Sequence, residues 1–96
     1  MTAPFLVRSD THFERLVRSL RVHHPDFDDH YAEAIQILRT DPHNLSRHYA
    51  IKKLKGVSRG DGQYRLRLRR WRFRYDVYSQ DVVLTYCGLR RENTYR

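Results

Sequence analysis

The sequence predicts an α+β fold in which an N-terminal helical hairpin packs on a small twisted antiparallel β-sheet. Apolar residues recur at helical spacing in the first half of the chain and at alternate positions in the second half, so helices should precede strands. The chain has 96 residues, of which 40% are hydrophobic and 12% aromatic, and this suffices for one core but not for two. We therefore expect a single domain that spans residues 1–96.

A short strand and a first helix are predicted at the start of the chain. Residues 4–7 are apolar and typical of a short edge strand. Thr11, followed three residues later by Glu14, fits a capping box at the start of a helix that ends near His23. The apolar stripe of this helix comprises Phe13, Leu16, Val17 and Leu20.

A second helix follows after a short connection. It begins after Pro25 and Asp26 and stops at Asp41 and Pro42. Its apolar stripe comprises Tyr31, Ala34, Ile35 and Leu38. Two helices with so short a connection should form an antiparallel hairpin that buries both stripes against another layer.

Three strands are predicted in the second half, after a long connection over residues 43–63 that contains three glycines. Residues 64–69 and 72–77 alternate between apolar and charged positions, which indicates two strands of a hairpin with a turn near Arg70 and Trp71. Residues 82–87 are nearly all apolar and predict a strand inside the sheet that Gly88 ends.

The charge of the chain is concentrated in this second half. Residues 1–48 carry six basic and seven acidic side chains, whereas residues 49–96 carry thirteen and four. Arginine outnumbers lysine sixteen to three, and arginine pairs with phosphate through two parallel hydrogen bonds and stacks on bases. A polyanion is therefore the expected partner. All six histidines lie in the first half, so acid–base chemistry in the basic half must use other groups.

The alternation predicts a charged face on the sheet. If the apolar residues of the two strands face the helices, Arg65, Arg67, Arg72 and Arg74 must share the opposite side. Like charges opposite one another destabilise a sheet, so such a face favours a nucleic acid or an acidic protein as its ligand over a solvated surface. Aromatic residues that reach the same face would supply stacking surfaces, and the candidates are Tyr64, Trp71, Tyr75, Tyr78 and Tyr86.

Taken in order, these segments resemble the RelE/ParE superfamily of toxins from bacterial type II toxin–antitoxin systems. The resemblance covers nearly the whole chain and is carried by KLKG at 53–56, GQYRLR at 62–67, WRFRY at 71–75 and GLRRENTY at 88–95. RelE-like members are ribosome-dependent endoribonucleases that cleave messenger RNA and are held inactive by an acidic antitoxin. ParE-like members instead inhibit DNA gyrase. A catalytically weak RNA-binding relic of such a toxin is a third reading.

The resemblance to RelE implies particular roles for residues of this chain. The catalytic positions that it implies are Arg65, Arg67, Arg72, Arg90 and Tyr95. Flanking positions expected to contact nucleic acid are Lys52, Lys55, Arg69, Arg74 and Arg91. The implied partners are messenger RNA on the ribosome and a cognate acidic antitoxin protein, with no cofactor.

The sequence departs from the family pattern where the general base is expected. Arg65 and Arg67 stand where RelE proteins often have lysines, and a guanidinium is effectively never deprotonated. Asp76, in phase with the arginines, and Glu92, in the tail, are the open candidates for this base. Two further positions also depart from the pattern, Arg70 where a glycine is frequent and Leu89 where some relatives have histidine.

Metal binding and a membrane location are not expected. His23, His24 and His30 lie near three aspartates, but adjacent histidines diverge on a helix and the acids suit a helix start. Cys87 is the only cysteine, which excludes an internal disulfide and a zinc-finger spacing. No apolar run approaches the length of a membrane span and no secretory signal is recognisable, so a cytoplasmic location is expected.

Overall fold

Two helices pack against one face of a five-stranded mixed sheet in the computed structural model, which describes residues 3–90. The elements in chain order are β1 (Leu6–Ser9), α1 (Thr11–His23), α2 (Phe27–Thr40), β2 (Ala50–Lys53), β3 (Tyr64–Leu68), β4 (Trp71–Tyr78) and β5 (Asp81–Leu89). The strands are arranged in the order β1-β5-β4-β3-β2. This architecture confirms the predicted α+β class. Neither helix of residues 3–90 is long and apolar enough to cross a membrane.

The sheet differs from the prediction in three respects. β1 lies at an edge as expected but pairs in parallel with β5, whereas every other pair is antiparallel. Both helices and three strands separate β1 from β5 in the chain, so no tight turn imposes an antiparallel pairing. β2 forms the other edge, inside the segment predicted to be a long connection. β5 continues through Gly88 to Leu89 instead of ending at the glycine.

The core lies between the helices and the inner face of the sheet. The helices contribute buried Phe13, Val17, Phe27, Ala34, Ile37 and Leu38. The sheet contributes buried Leu66, Trp71, Phe73, Tyr75, Val77, Val82, Leu84 and Cys87. The apolar half of the alternation in β3 and β4 therefore faces the helices, as predicted. The buried Tyr75 hydroxyl donates a hydrogen bond to the Pro42 carbonyl at 2.7 Å, which ties the end of the α2 segment to β4.

The start of α1 is capped one residue earlier than the sequence indicates. The Asp10 carboxylate accepts a hydrogen bond from the backbone N–H of Phe13 at 2.8 Å, so Asp10 and not Thr11 is the N-cap residue. Glu14 accepts a hydrogen bond from the Ser9 hydroxyl at 3.1 Å. The motif is thus shifted because aspartate, an equally good cap, directly precedes the threonine.

Asp26 joins the connection between the helices to the β3–β4 hairpin. Its carboxylate accepts hydrogen bonds from the Trp71 indole N–H and from the Arg70 guanidinium, both at 3.1 Å. The indole bond, followed by the Arg70 contact, lowers the pKa of Asp26 against the opposing effect of desolvation. Asp26 makes no side-chain cap bond to α2, so its role is to hold two distant segments together.

Replacement of Asp26 by asparagine tests this contact through its pH dependence. A carboxyl whose pKa is lower in the folded than in the unfolded chain stabilises the fold above about pH 4, and this contribution is lost as the pH falls through the folded pKa. We expect the urea midpoint of Asp26→Asn to lie below that of the wild type at pH 7, with the difference shrinking below about pH 4. Glu33→Gln, an exposed change in α2 beyond its first turn, is the control; an equal pH-dependent difference there would contradict the assignment.

The β3–β4 turn contains a residue in the left-handed backbone region. Arg69 has a φ of 56°, and it is the first of the two residues between the paired Leu68 and Trp71. A side chain is strained at such a position, whereas glycine adopts it freely. The turn therefore retains a local strain that the sequence pattern does not reveal.

Arg69→Gly should raise the free energy of unfolding by about 0.5 to 1 kcal/mol, because relief of the left-handed strain outweighs the added freedom of the unfolded chain. Urea denaturation followed by tryptophan fluorescence measures this difference. Arg70→Gly in the same turn should instead destabilise, because Arg70 lacks the positive φ and contacts Asp26. Equal effects of the two substitutions would show that the φ of residue 69 is not the cause.

Candidate nucleic-acid interface

The outer face of the sheet, opposite the helices, carries the predicted arginines. Arg65 pairs with Arg74 across β3 and β4, and Arg67 pairs with Arg72. Paired residues of neighbouring strands point to the same side of a sheet, and the alternating residues between these arginines are in the core. The same register places Lys52 of β2 opposite Arg65. The backbone geometry thus gathers five cationic side chains on one face.

Four arginines form the centre of this face, and we call Arg65, Arg67, Arg72 and Arg90 the arginine cluster. Partial burial lowers the pKa of Arg65, and the charges of Arg72, Arg67 and Arg90 lower it further. Arg90 follows β5 and donates its backbone N–H to the carbonyl of Arg70 at 2.6 Å, which holds it beside the hairpin. The charges of Arg67, Arg72 and Arg90 therefore all act on the Arg65 guanidinium.

The cluster contains polar donors that the described part of the chain does not satisfy. The Nε atoms of Arg65 and Arg72 are buried and have no hydrogen-bond partner within residues 3–90. A buried donor without a partner costs about 1 to 3 kcal/mol. None of the ion pairs formed within residues 3–90 includes a cluster arginine. An oxyanion bound here would supply acceptors for these donors and offset the mutual repulsion of the guanidinium groups.

Arg74 and Asp76 occupy the same face but are engaged by the loop before β3. The Arg74 guanidinium donates to the Gly62 carbonyl from Nε at 3.1 Å and from Nη2 at 2.9 Å, and to the Asp61 carbonyl at 2.9 Å. Asp76 is completely buried, and its two carboxylate oxygens accept the N–H groups of Gly62 at 3.0 Å and Gln63 at 2.9 Å. These two side chains form what we call the loop clamp.

The loop clamp changes the interpretation of both residues. Arg74 lies on the predicted face, but its guanidinium already holds the loop. Asp76 is in phase with the arginines as predicted, yet both of its oxygens are occupied by backbone donors, so it is not free to accept a substrate proton. Close packing also requires glycine at position 62, where φ is +81° and a Cβ would lie 2.7 Å from the Thr85 hydroxyl.

The other predicted site residues have different positions. Lys55 is exposed in the loop after β2, and Arg69 is exposed in the β3–β4 turn, so both flank the arginine cluster instead of joining it. Arg91 and Tyr95, together with the alternative base Glu92, lie outside the described residues. Within residues 3–90 there is no group of three or more histidine, cysteine or acidic side chains that could hold a metal ion.

Two aromatic candidates for stacking lie on the outer face: Tyr78 at the end of β4, where the Arg59 guanidinium lies 5.3 Å from its ring centre, and Tyr86, which is nearer to the arginine cluster. Tyr86 pairs with Arg74 and is 38% exposed, and Gly88, two residues further along β5, pairs with Arg72. Trp71 and Tyr75 are in the core. A register shift in the β4–β5 pairing next to Arg74 leaves Thr85 unpaired, and this irregularity sets the side to which Tyr86 points. Such a bulge leaves no mark in the apolar pattern of residues 82–87.

Comparison with known proteins adds no relative: no family model, curated protein or solved structure matches the chain. The geometry and charge of the sheet face are therefore the features that indicate a function.

Asp76→Asn tests the loop clamp. The amide replaces one accepting oxygen with an NH2 group that faces a backbone donor, so one buried N–H loses its partner. We expect the free energy of unfolding, measured by urea denaturation, to fall by about 2 kcal/mol. Asp61→Asn, in the same loop but exposed, is the matched control and should leave stability within about 0.5 kcal/mol. A stable Asp76→Asn variant would contradict the role given to this carboxylate.

Proposed function

We propose that this protein is a RelE-like toxin of a type II toxin–antitoxin system that cleaves messenger RNA on the ribosome. The observation that carries the proposal is the arginine cluster, in which two buried Nε donors have no partner within residues 3–90. The predicted α+β architecture and the motifs of the sequence support the same assignment. Phosphate groups of RNA have the charge and the acceptor geometry that such a cluster binds.

The proposed reaction is the attack of a ribose 2′-hydroxyl on the adjacent phosphorus. The 2′-oxygen loses its proton and bonds to phosphorus, and the bond from phosphorus to the 5′-oxygen of the next nucleotide breaks. The products are a 2′,3′-cyclic phosphate and a 5′-hydroxyl, which takes up a proton. The phosphorane between them carries additional negative charge, and Arg65 and Arg72 are the groups placed to stabilise it.

The arginine cluster contributes charge stabilisation and positioning, not proton transfer. Guanidinium groups do not act as general bases at neutral pH, and Asp76 is held by the loop clamp. In the proposed mechanism the ribosome fixes the RNA backbone in a reactive geometry and the cluster binds the reacting phosphate. Tyr95, by resemblance, orients the attacking hydroxyl or stacks on a base.

Both oxygens of Asp76 accept hydrogen bonds from the loop, so Asp76 is not available as a proton acceptor. This observation favours one alternative, a ParE-like inhibitor of DNA gyrase. Such a protein needs a cationic binding surface but no proton acceptor, and Asp76 is the only acid in phase with the arginines of β3 and β4. A protein that binds RNA without cleaving it would have the same surface. The two binding functions differ from the leading proposal in that neither produces cyclic-phosphate ends.

The proposal also implies a partner and a location. An acidic antitoxin would neutralise the arginine cluster, because four guanidinium groups that form no ion pair within residues 3–90 favour a segment rich in carboxylates. A target on the ribosome implies that the protein acts in the cytoplasm. Expression of the chain alone should arrest growth, and co-expression of the antitoxin should restore it.

Arginine substitutions test the cleavage directly. With purified ribosomes and messenger RNA, we expect Arg65→Ala and Arg72→Ala each to lower the cleavage rate by about a hundredfold or more, because each removes a donor to the charged intermediate. Arg15→Ala removes the same charge from the exposed side of α1 and should leave the rate unchanged. The cleaved ends are identified as 2′,3′-cyclic phosphates by mass spectrometry.

Two results would contradict the leading proposal. An equal loss of rate in Arg15→Ala and Arg72→Ala would show that only net charge matters. Intact messenger RNA combined with inhibited supercoiling and accumulated cleaved DNA in a gyrase assay would establish the ParE-like alternative.

A further inference from the structure

Tyr86 lies flat along the outer face of β5 and covers Gly88. A Cβ atom built on Gly88 would overlap the Tyr86 hydroxyl and would lie 3.0 Å from Cζ and 3.3 Å from Cε2 of the ring. The ring therefore occupies the space that any side chain at position 88 would need. Because Gly88 is paired with Arg72, the hydroxyl end of Tyr86 points towards the arginine cluster.

Tyr86 also lines a groove. It has a volume of about 270 Å³ and is lined by Asp10, His12, Asp61, Arg74, Thr85 and Tyr86. These polar groups offer both hydrogen-bond donors and acceptors. Tyr86 is thus adjacent both to the strand that carries Arg72 and to a polar groove, and it is 38% exposed.

We propose that Tyr86 is a stacking platform for an unpaired nucleobase, so that the face binds single-stranded nucleic acid with a phosphate on the arginine cluster. This inference rests on the proposed function, since it assigns the class of ligand to the same face. An exposed aromatic ring on a sheet next to phosphate-binding arginines is how single strands are held without base pairing. The edge of the stacked base then faces the groove, where the exposed side chains of His12 and Asp61 can hydrogen-bond to it.

The geometry favours a single strand over the two other polyanions that the charge would admit. The bases of a duplex are already stacked on one another and cannot lie on a ring that is flat against the sheet. An acidic protein segment would be held by the arginines and would gain little from an aromatic ring beside a polar groove. Only a strand with free bases uses both features at once.

Binding of three polyanions distinguishes these cases. We would measure fluorescence anisotropy with a short single-stranded RNA, and competition with the matching RNA duplex and with inorganic polyphosphate. Tyr86→Leu keeps an apolar side chain on the strand but removes the aromatic face, and it should weaken single-strand binding about tenfold. Tyr86→Phe should bind the single strand as the wild type does. Tyr86→Leu should bind the duplex and polyphosphate with unchanged affinity.

Gly88→Ala provides a second, independent variant. The added methyl group displaces the Tyr86 ring without changing its chemistry, so single-strand binding should fall as in Tyr86→Leu while polyphosphate binding stays unchanged. Thermal unfolding of each variant shows that the fold is retained.

Three outcomes would overturn the inference. The first is wild-type binding of the single strand by Tyr86→Leu. The second is an equal loss for the single strand and polyphosphate, which would mean that the ring acts only through the arginines. The third is an equal loss for the single strand and the duplex, which would mean that the ring does not contact an unpaired base. Failure of the proposed function is separate, because it would appear as a lack of ribosome-dependent cleavage while the Tyr86-dependent binding of the single strand persists.

Discussion

The structure depends on the alternation of side chains in the β3–β4 hairpin. Apolar residues on one side, such as Leu66 and Phe73, bury themselves under the helices, and this burial fixes the register of the pair. The same register forces Arg65, Arg67 and Arg72 onto the outer face, where they repel one another. A slip of one residue would expose the core and bury the arginines, so the apolar packing is what holds the charged groups together.

The fold neutralises only part of its outer face. Asp76 and Arg74 are bonded to the loop before β3, and their charges serve to position Gly62 and its neighbours. The Nε atoms of Arg65 and Arg72, in contrast, have no hydrogen-bond acceptor within residues 3–90. Arg74 and Asp76 are thus hydrogen-bonded within the fold, whereas the Nε donors of Arg65 and Arg72 are not, within residues 3–90. Such unsatisfied donors are typical of a binding site, where some stability of the fold is lost in favour of ligand binding. This difference also separates the structural carboxylate from the groups that would meet a substrate.

The sequence predicts the α+β class, both helices and the shared arginine face. Each of these follows from the spacing of apolar residues within a single helix or strand. The sequence does not predict β2 or the parallel pairing of β1, because short edge strands have little apolar periodicity and their partners are distant in the chain. The loop contacts of Asp76 and the side of the sheet to which Tyr86 points are equally hidden. The sequence pattern around Asp76 would be the same whether its carboxylate faced solvent or a folded loop. The bulge beside Tyr86 leaves no trace in the apolar run of β5.

The most direct test of the central claim is NMR spectroscopy of the arginine Nε–Hε groups during titration with a single-stranded RNA. We expect the Nε–Hε signals of Arg65 and Arg72 to shift strongly, because the RNA phosphate provides the acceptor that residues 3–90 do not. The signal of Arg74 should change little, since its Nε already donates to the Gly62 carbonyl at 3.1 Å. Unchanged signals of Arg65 and Arg72, with shifts only at arginines of the helices, would contradict the account.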